Sequence, residues 1–234
     1  MSRPPLLSPA ELYGTQPRPD GAARRKAFQA ALRRTVFPWR EQQGFTGTAA
    51  TQRRVVDQAI HVLEFQPWKH GGGVAVNLGI HFRFLPLPAG APAPEALEEP
   101  WCPLRWRLAP PGHTDAWWRH GATAQDTQHA VEHLAQHLTT LGAAWWADFG
   151  TLPGAYDAVT PQALPALQPR FFAGPPVLAL SHVLAWSGRH TQARALLQHH
   201  QQDLAANPVR HPDHQARLAQ HTQAILRLCG DPTP

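Results

Sequence analysis

The stretch from Ala59 to Leu85 constrains the fold more than any other part of the chain. It reads AIHVLEFQPW, then KHGGG, then VAVNLGIHFRFL. Val74, Val76, Leu78, Ile80, Phe82 and Phe84 alternate with Ala75, Asn77, Gly79, His81, Arg83 and Leu85. Alternation at period two puts the two sets on opposite faces of a strand. The earlier run is rich in β-formers, and the glycines between the runs permit a tight turn. The pattern predicts an antiparallel hairpin at the centre of a sheet. A one-residue slip would turn the apolar face outward, so burial should fix the register with Leu63 opposite Leu78 and Phe65 opposite Val76. The other face then carries Glu64, Gln66, Asn77, His81 and Arg83. That set is the candidate partner-binding surface, because its amides donate and accept hydrogen bonds. A plain solvated face is the alternative.

A chain of 234 residues with nine tryptophans and nine phenylalanines is long enough to bury a sizeable core. No charged segment followed by an apolar run opens it, which predicts no secretory leader. Asn77, His81 and Arg83 interrupt the longest apolar run, so no membrane span is expected. Cys102 and Cys229 are far apart and form no metal-ligand pattern, so a reducing cytoplasm is the expected compartment.

The net charge of +5 is unevenly spread. Arg24, Arg25, Lys26, Arg33, Arg34, Arg40, Arg53 and Arg54 share their segment with one acid, Glu41. Such a segment can contact nucleic-acid phosphates. A solvated helix face explains Lys26, Arg33 and Arg40 equally well, and no recognised nucleic-acid motif accompanies them.

Residues 1–21 are proline-rich and predict an extended or disordered arm. Phe28, Leu32, Val36 and Trp39 predict a helix from about Ala22 to Phe37, ended or bent by Pro38. GFTGTAAT reads as a turn leading into the hairpin. WCPLRWRL predicts a third strand, with Pro103 favouring an edge. Thr123 to Phe149 carries an apolar stripe of Val131, Leu134, Leu138, Leu141, Trp145 and Phe149, behind a capping box of Thr123 and Asp126. Residues 151–174 read as an irregular linker. Residues 175–234 read as helical, and their first two segments resemble a single tetratricopeptide-type hairpin without a second copy.

His129-Ala-Val-Glu132-His133 fits the H-x-x-E-H pattern of inverted zincins. On a helical wheel His129, His133 and His137 lie opposite the apolar stripe. They should therefore face solvent, and no metal or cofactor is expected. KHGGGVAVNLG lacks the phosphate-loop pattern and joins strand to strand. Paired carboxylates at Glu98 and Glu99 adjoin prolines in a loop, a poor place for acid–base work.

Together, the arginine-rich first helix, LEFQPWKHGGGVAVNLGIHF, CPLRWRL and the Trp117-Trp118 pair resemble the bacterial family called domain of unknown function 4304. Gln66, Asn77, Gly79, Cys102, Leu104 and the tryptophan pair carry the likeness, over about Ala22 to Phe149. The resemblance implies a small α+β domain and transfers no catalytic residues. The expected fold is α+β: an antiparallel sheet packed by two helices over 22–150, followed by an all-helical region. The expected function is non-catalytic binding of a protein partner, as an accessory or immunity-like protein. A nucleic-acid-associated protein comes second and a metal-dependent enzyme third.

Overall fold

A computed structural model describes residues 5–8, 11, 21–87, 90–113, 115–206 and 212–230. The expected hairpin forms β3 (Ala59–Pro67) and β4 (Gly73–Phe82). Leu63 pairs with Leu78 and Phe65 with Val76, the register that burial demands. Gly71 and Gly72 close the hairpin at φ +79° and +82°, a region that side chains disfavour. Four further strands are β1 (Thr46–Gly47), β2 (Thr51–Val56), β5 (Leu104–Arg107) and β6 (Trp118–Arg119). The antiparallel sheet runs β1-β2-β3-β4-β5, and β6 pairs with the start of β4.

β2 lies where no strand was expected. Its core-facing positions are Gln52 and Arg54, opposite Leu63 and His61, so apolar alternation is missing from its sequence. Arg54 is accommodated by packing its guanidinium over the rings of Phe45 and Trp146, 4.7 and 5.5 Å from their centroids. The second strand also ends at Phe82, earlier than its alternation suggests, and Arg83 lies in the following turn.

Two helical units cover one sheet face. The first is α1 (Ala22–Thr35), which buries Phe28, Ala31 and Leu32. Pro38 does not simply end it. Pro38 sits in the first turn of a second helix, α2 (Phe37–Gln42), where its missing N–H is no loss. The second unit is α3 (Ala124–His137), whose Thr123–Asp126 capping box is formed in both directions. It runs through a π-helical turn at Leu138–Gly142 into α4 (Ala143–Phe149). The wider turn shifts the helical phase, so Trp145 and Trp146 are both buried. Phe28, Leu32, Val131, Leu134, Leu138 and Trp146 share one core with Leu63, Val76, Leu78 and Ile80.

That core continues into the C-terminal region. Residues 151–174 pack as well as connect: Tyr156, Val159, Leu164 and Phe171 are buried in it. This stretch holds the short helix α5 (Leu164–Leu167). Beyond it, α6 (Val177–Trp186) and α7 (His190–Ala206) form the expected hairpin around Gly188, and α8 (Pro212–Leu228) packs against both. Phe84 stacks on Trp186 at 4.4 Å between centroids, joining the sheet to the hairpin.

The opposite sheet face is covered too, by the chain itself. Ile60 and Val62 pack with Leu97 and Cys102 from the connection after β4. Ala75 packs with Leu7 and Trp117. Within the proline-rich arm, the Leu7 N–H donates to the Trp117 carbonyl at 2.8 Å, and Arg119 pairs with Glu11. Residues 12–20 of that arm lie outside the described residues.

Candidate functional site

The second sheet face gathers part of the expected polar set around a residue outside it. Asn77 faces Glu64 on one side and Arg107 on the other. Asn77 Nδ2 donates to Gln66 Oε1 at 3.0 Å, and Arg107 Nη2 donates to the same oxygen at 2.9 Å. The Arg107 guanidinium lies 4.9 Å from the Trp117 ring centroid, with Nη1 3.2 Å from Asp115 Oδ1. Arg107 alternates with Trp106 on β5, so its place on the face of Asn77 was legible in the WCPLRWRL pattern. Nearby, Arg105 grips Glu99 with two bonds of 2.7 and 3.0 Å. Glu64 is half-buried, and burial together with the Glu99 charge raises its carboxyl above the usual range.

His81 and Arg83 stand apart from this cluster. His81 is buried, and desolvation pushes its imidazole down to about 4. Arg83 is exposed, and its N–H donates to the Gln58 carbonyl. The five polar residues therefore do not form one accessible face. Asn77 and His81 lie on the central strand and are buried there.

The basic segment also divides. Arg53 donates to the carbonyls of Ala96 and Leu97. Arg54 donates to His61 Nδ1 at 3.1 Å and to the Gln43 carbonyl, and burial lowers its pKa. Arg40 packs 3.9 Å from the Phe37 ring centroid beside Glu41. Arg25, Lys26, Arg33 and Arg34 remain exposed on α1, and Arg24 is partly buried beside them. Among the described residues, none of them is joined to an acid. Arg25 and Arg33 line a cleft of about 340 Å³, walled by Phe28, Leu32, Phe65 and Val74. Charge and apolar surface thus meet in one concavity.

The histidine stripe is not uniformly solvent-facing. His129 is exposed, but His133 is half-buried and its Nδ1 accepts from the Trp118 indole at 3.1 Å. Burial and the neighbouring His137 lower the His133 pKa. The ring of His137 lies 4.3 Å from that of His133, and its Nδ1 is 2.7 Å from the His133 carbonyl. Among the described residues no group of three or more His, Cys, Asp or Glu side chains is placed to hold a metal ion. No described helix is long and apolar enough to cross a membrane.

A larger cavity of about 610 Å³ opens at the β5 edge, between the π turn and residues 168–174. Sequence reasoning missed it, because its walls come from segments that are distant along the chain. No protein-family model, curated protein or solved structure matches this chain.

Proposed function

We propose that this protein is a non-catalytic binding protein whose partner is a protein with an acidic, partly apolar surface. The observation that carries the reading is the cleft between α1 and the sheet, with apolar walls and the Arg25 and Arg33 guanidiniums at its lining. An apolar side chain of the partner fills the cleft, and its carboxylates meet the cations of α1. Complementary charge speeds encounter and selects partners. The resemblance to domain of unknown function 4304 supplies no residue roles, so the reading rests on this surface. A reducing compartment suits the buried thiols of Cys102 and Cys229.

A second reading, nucleic-acid binding, draws on the same cations, since none on α1 is neutralised by an acid among the described residues. Capture of partners by the purified protein, with and without nuclease, separates the two. The protein reading expects capture to survive nuclease. It also expects loss of capture with Ala49→Trp, which fills the cleft from an exposed position without changing charge. Nucleic-acid binding should survive Ala49→Trp, weaken with Arg33→Glu plus Arg34→Glu, and fall steeply with salt as counterions are released. Nuclease-sensitive capture that ignores Ala49→Trp would replace the first reading with the second.

A further inference from the structure

We propose that the cavity at the β5 edge is a binding site for a small aromatic anion. The site lies away from α1 and is independent of the partner surface described above.

The cavity volume of about 610 Å³ falls in the range of roughly 300–1,000 Å³ that small-molecule sites occupy. Its walls are apolar and aromatic: Trp106 from β5, Leu141 from the π turn, and Phe171 with Phe172 from the opposing loop. Phe172 is 47 % exposed, with the guanidiniums of Arg105 and Arg107 5.2 and 5.6 Å from its ring centroid. A flat ring between Trp106 and Phe172 would cover it.

Charge selects the class of ligand. Arg107 and Arg170 line the cavity, and among the described residues no carboxylate does. The acids that face these guanidiniums, Asp115 and Asp148, stand outside the lining. Arg107 Nε is buried with no hydrogen-bond acceptor among the described residues. A buried donor without a partner is costly, and the lining cation open to an incoming anionic oxygen is Arg170, whose side chain is 36 % exposed.

Backbone geometry converges on the same place. The π turn at Leu138–Gly142 contributes Leu141 to the wall, and π turns recur at functional sites. Ala173, also on the wall, holds φ +61°, a left-handed value that costs an alanine energy. The N–H of Phe172 bonds the Arg105 carbonyl at 2.6 Å, so the loop carrying this strain is anchored to the sheet edge.

The test uses the full chain with two fluorescent probes, anilinonaphthalene sulfonate and its uncharged analogue N-phenyl-1-naphthylamine. One saturable site is expected for the sulfonate, bound at least about tenfold tighter than the neutral ring system. Ala144→Trp, which fills the cavity from an exposed lining position, should abolish that site. Arg170→Gln should weaken the sulfonate by several-fold and leave the neutral probe unchanged. Near-UV circular dichroism confirms that each variant is folded. Equal affinity for both probes would overturn the anion assignment. Sulfonate binding untouched by Ala144→Trp would overturn the site.

Discussion

The imidazole of His61 lies parallel to the indole of Trp146, with 4° between the planes and 5.8 Å between the centroids. Its two nitrogens have separate tasks. Nδ1 accepts from Arg54 Nε at 3.1 Å, so Nε2 carries the proton and donates to the Gly150 carbonyl at 2.7 Å. Desolvation is the main reason the folded pKa falls to about 4, and the Arg54 charge adds to it. Between that value and the ordinary imidazole value of about 6.5, the unfolded chain binds a proton that the folded chain refuses. Stability from this group is therefore complete above pH about 6.5 and is lost as the pH falls toward 4. His81 and His182 shift in the same direction, also by burial first. Urea unfolding across this window should show declining stability on acidification. His61→Phe should shallow the decline, and an unchanged slope would assign it to the other two histidines.

Core packing makes a second prediction. Leu78 is fully buried at the centre of β4. Leu78→Ala should cost about 2–5 kcal/mol in denaturant unfolding. Gly79→Ala should also destabilise, because the added Cβ would lie 2.7 Å from Cys102 Sγ and 3.0 Å from its Cβ. Replacing Cys102 by Gly in the same chain should recover part of the loss. A Leu78→Ala cost below about 0.5 kcal/mol, the range of surface changes, would contradict the burial of this face.

The histidine stripe separates into two cases. His129→Ala removes an exposed side chain and should change stability by less than about 0.5 kcal/mol. His133→Ala strips the acceptor from the Trp118 indole, which is itself fully buried. That variant should cost about 1–3 kcal/mol. Thermal melts of the two single variants decide the matter, and equal melting temperatures would remove the structural role of His133.

Gln66 and Asn77 make a fourth test. Gln66 Oε1 receives hydrogen bonds from both Asn77 and Arg107. Gln66→Ala and Asn77→Ala should each destabilise the fold, and the double variant should cost less than the sum, because the groups share one network. Strict additivity would mean that the amides act separately. Loss of partner capture with full stability would return these amides to the role of a contact surface.

Much of the fold was written locally. The alternation in β4, the glycine turn and the burial rule together determined the hairpin and its register. The apolar stripes of α1 and α3 determined which faces of those helices enter the core. The capping box at Thr123 was complete within four residues. These features depend on near neighbours and on the side chain's preference for oil or water, so a single chain displays them.

Tertiary structure decided the rest. β2 was hidden because Gln52 and Arg54 occupy its core-facing positions, and the rings of Phe45 and Trp146 with the acceptors on His61 and Gln43 make a place for Arg54. The polar face looked accessible because alternation tells which residues share a side and not what lies over them. Leu97, Cys102, Leu7 and Trp117 cover much of it from distant positions. The basic run looked continuous for a similar reason. Adjacent Arg53 and Arg54 point to opposite faces of β2, one toward loop carbonyls and the other into aromatic rings. The cavity at the β5 edge left no mark in any local pattern, since Trp106, Leu141 and Phe172 meet there only after the sheet, the π turn and the following loop have packed. Period and composition report what each residue prefers, whereas a concave site is made of the gaps between segments, and long-range packing alone sets those.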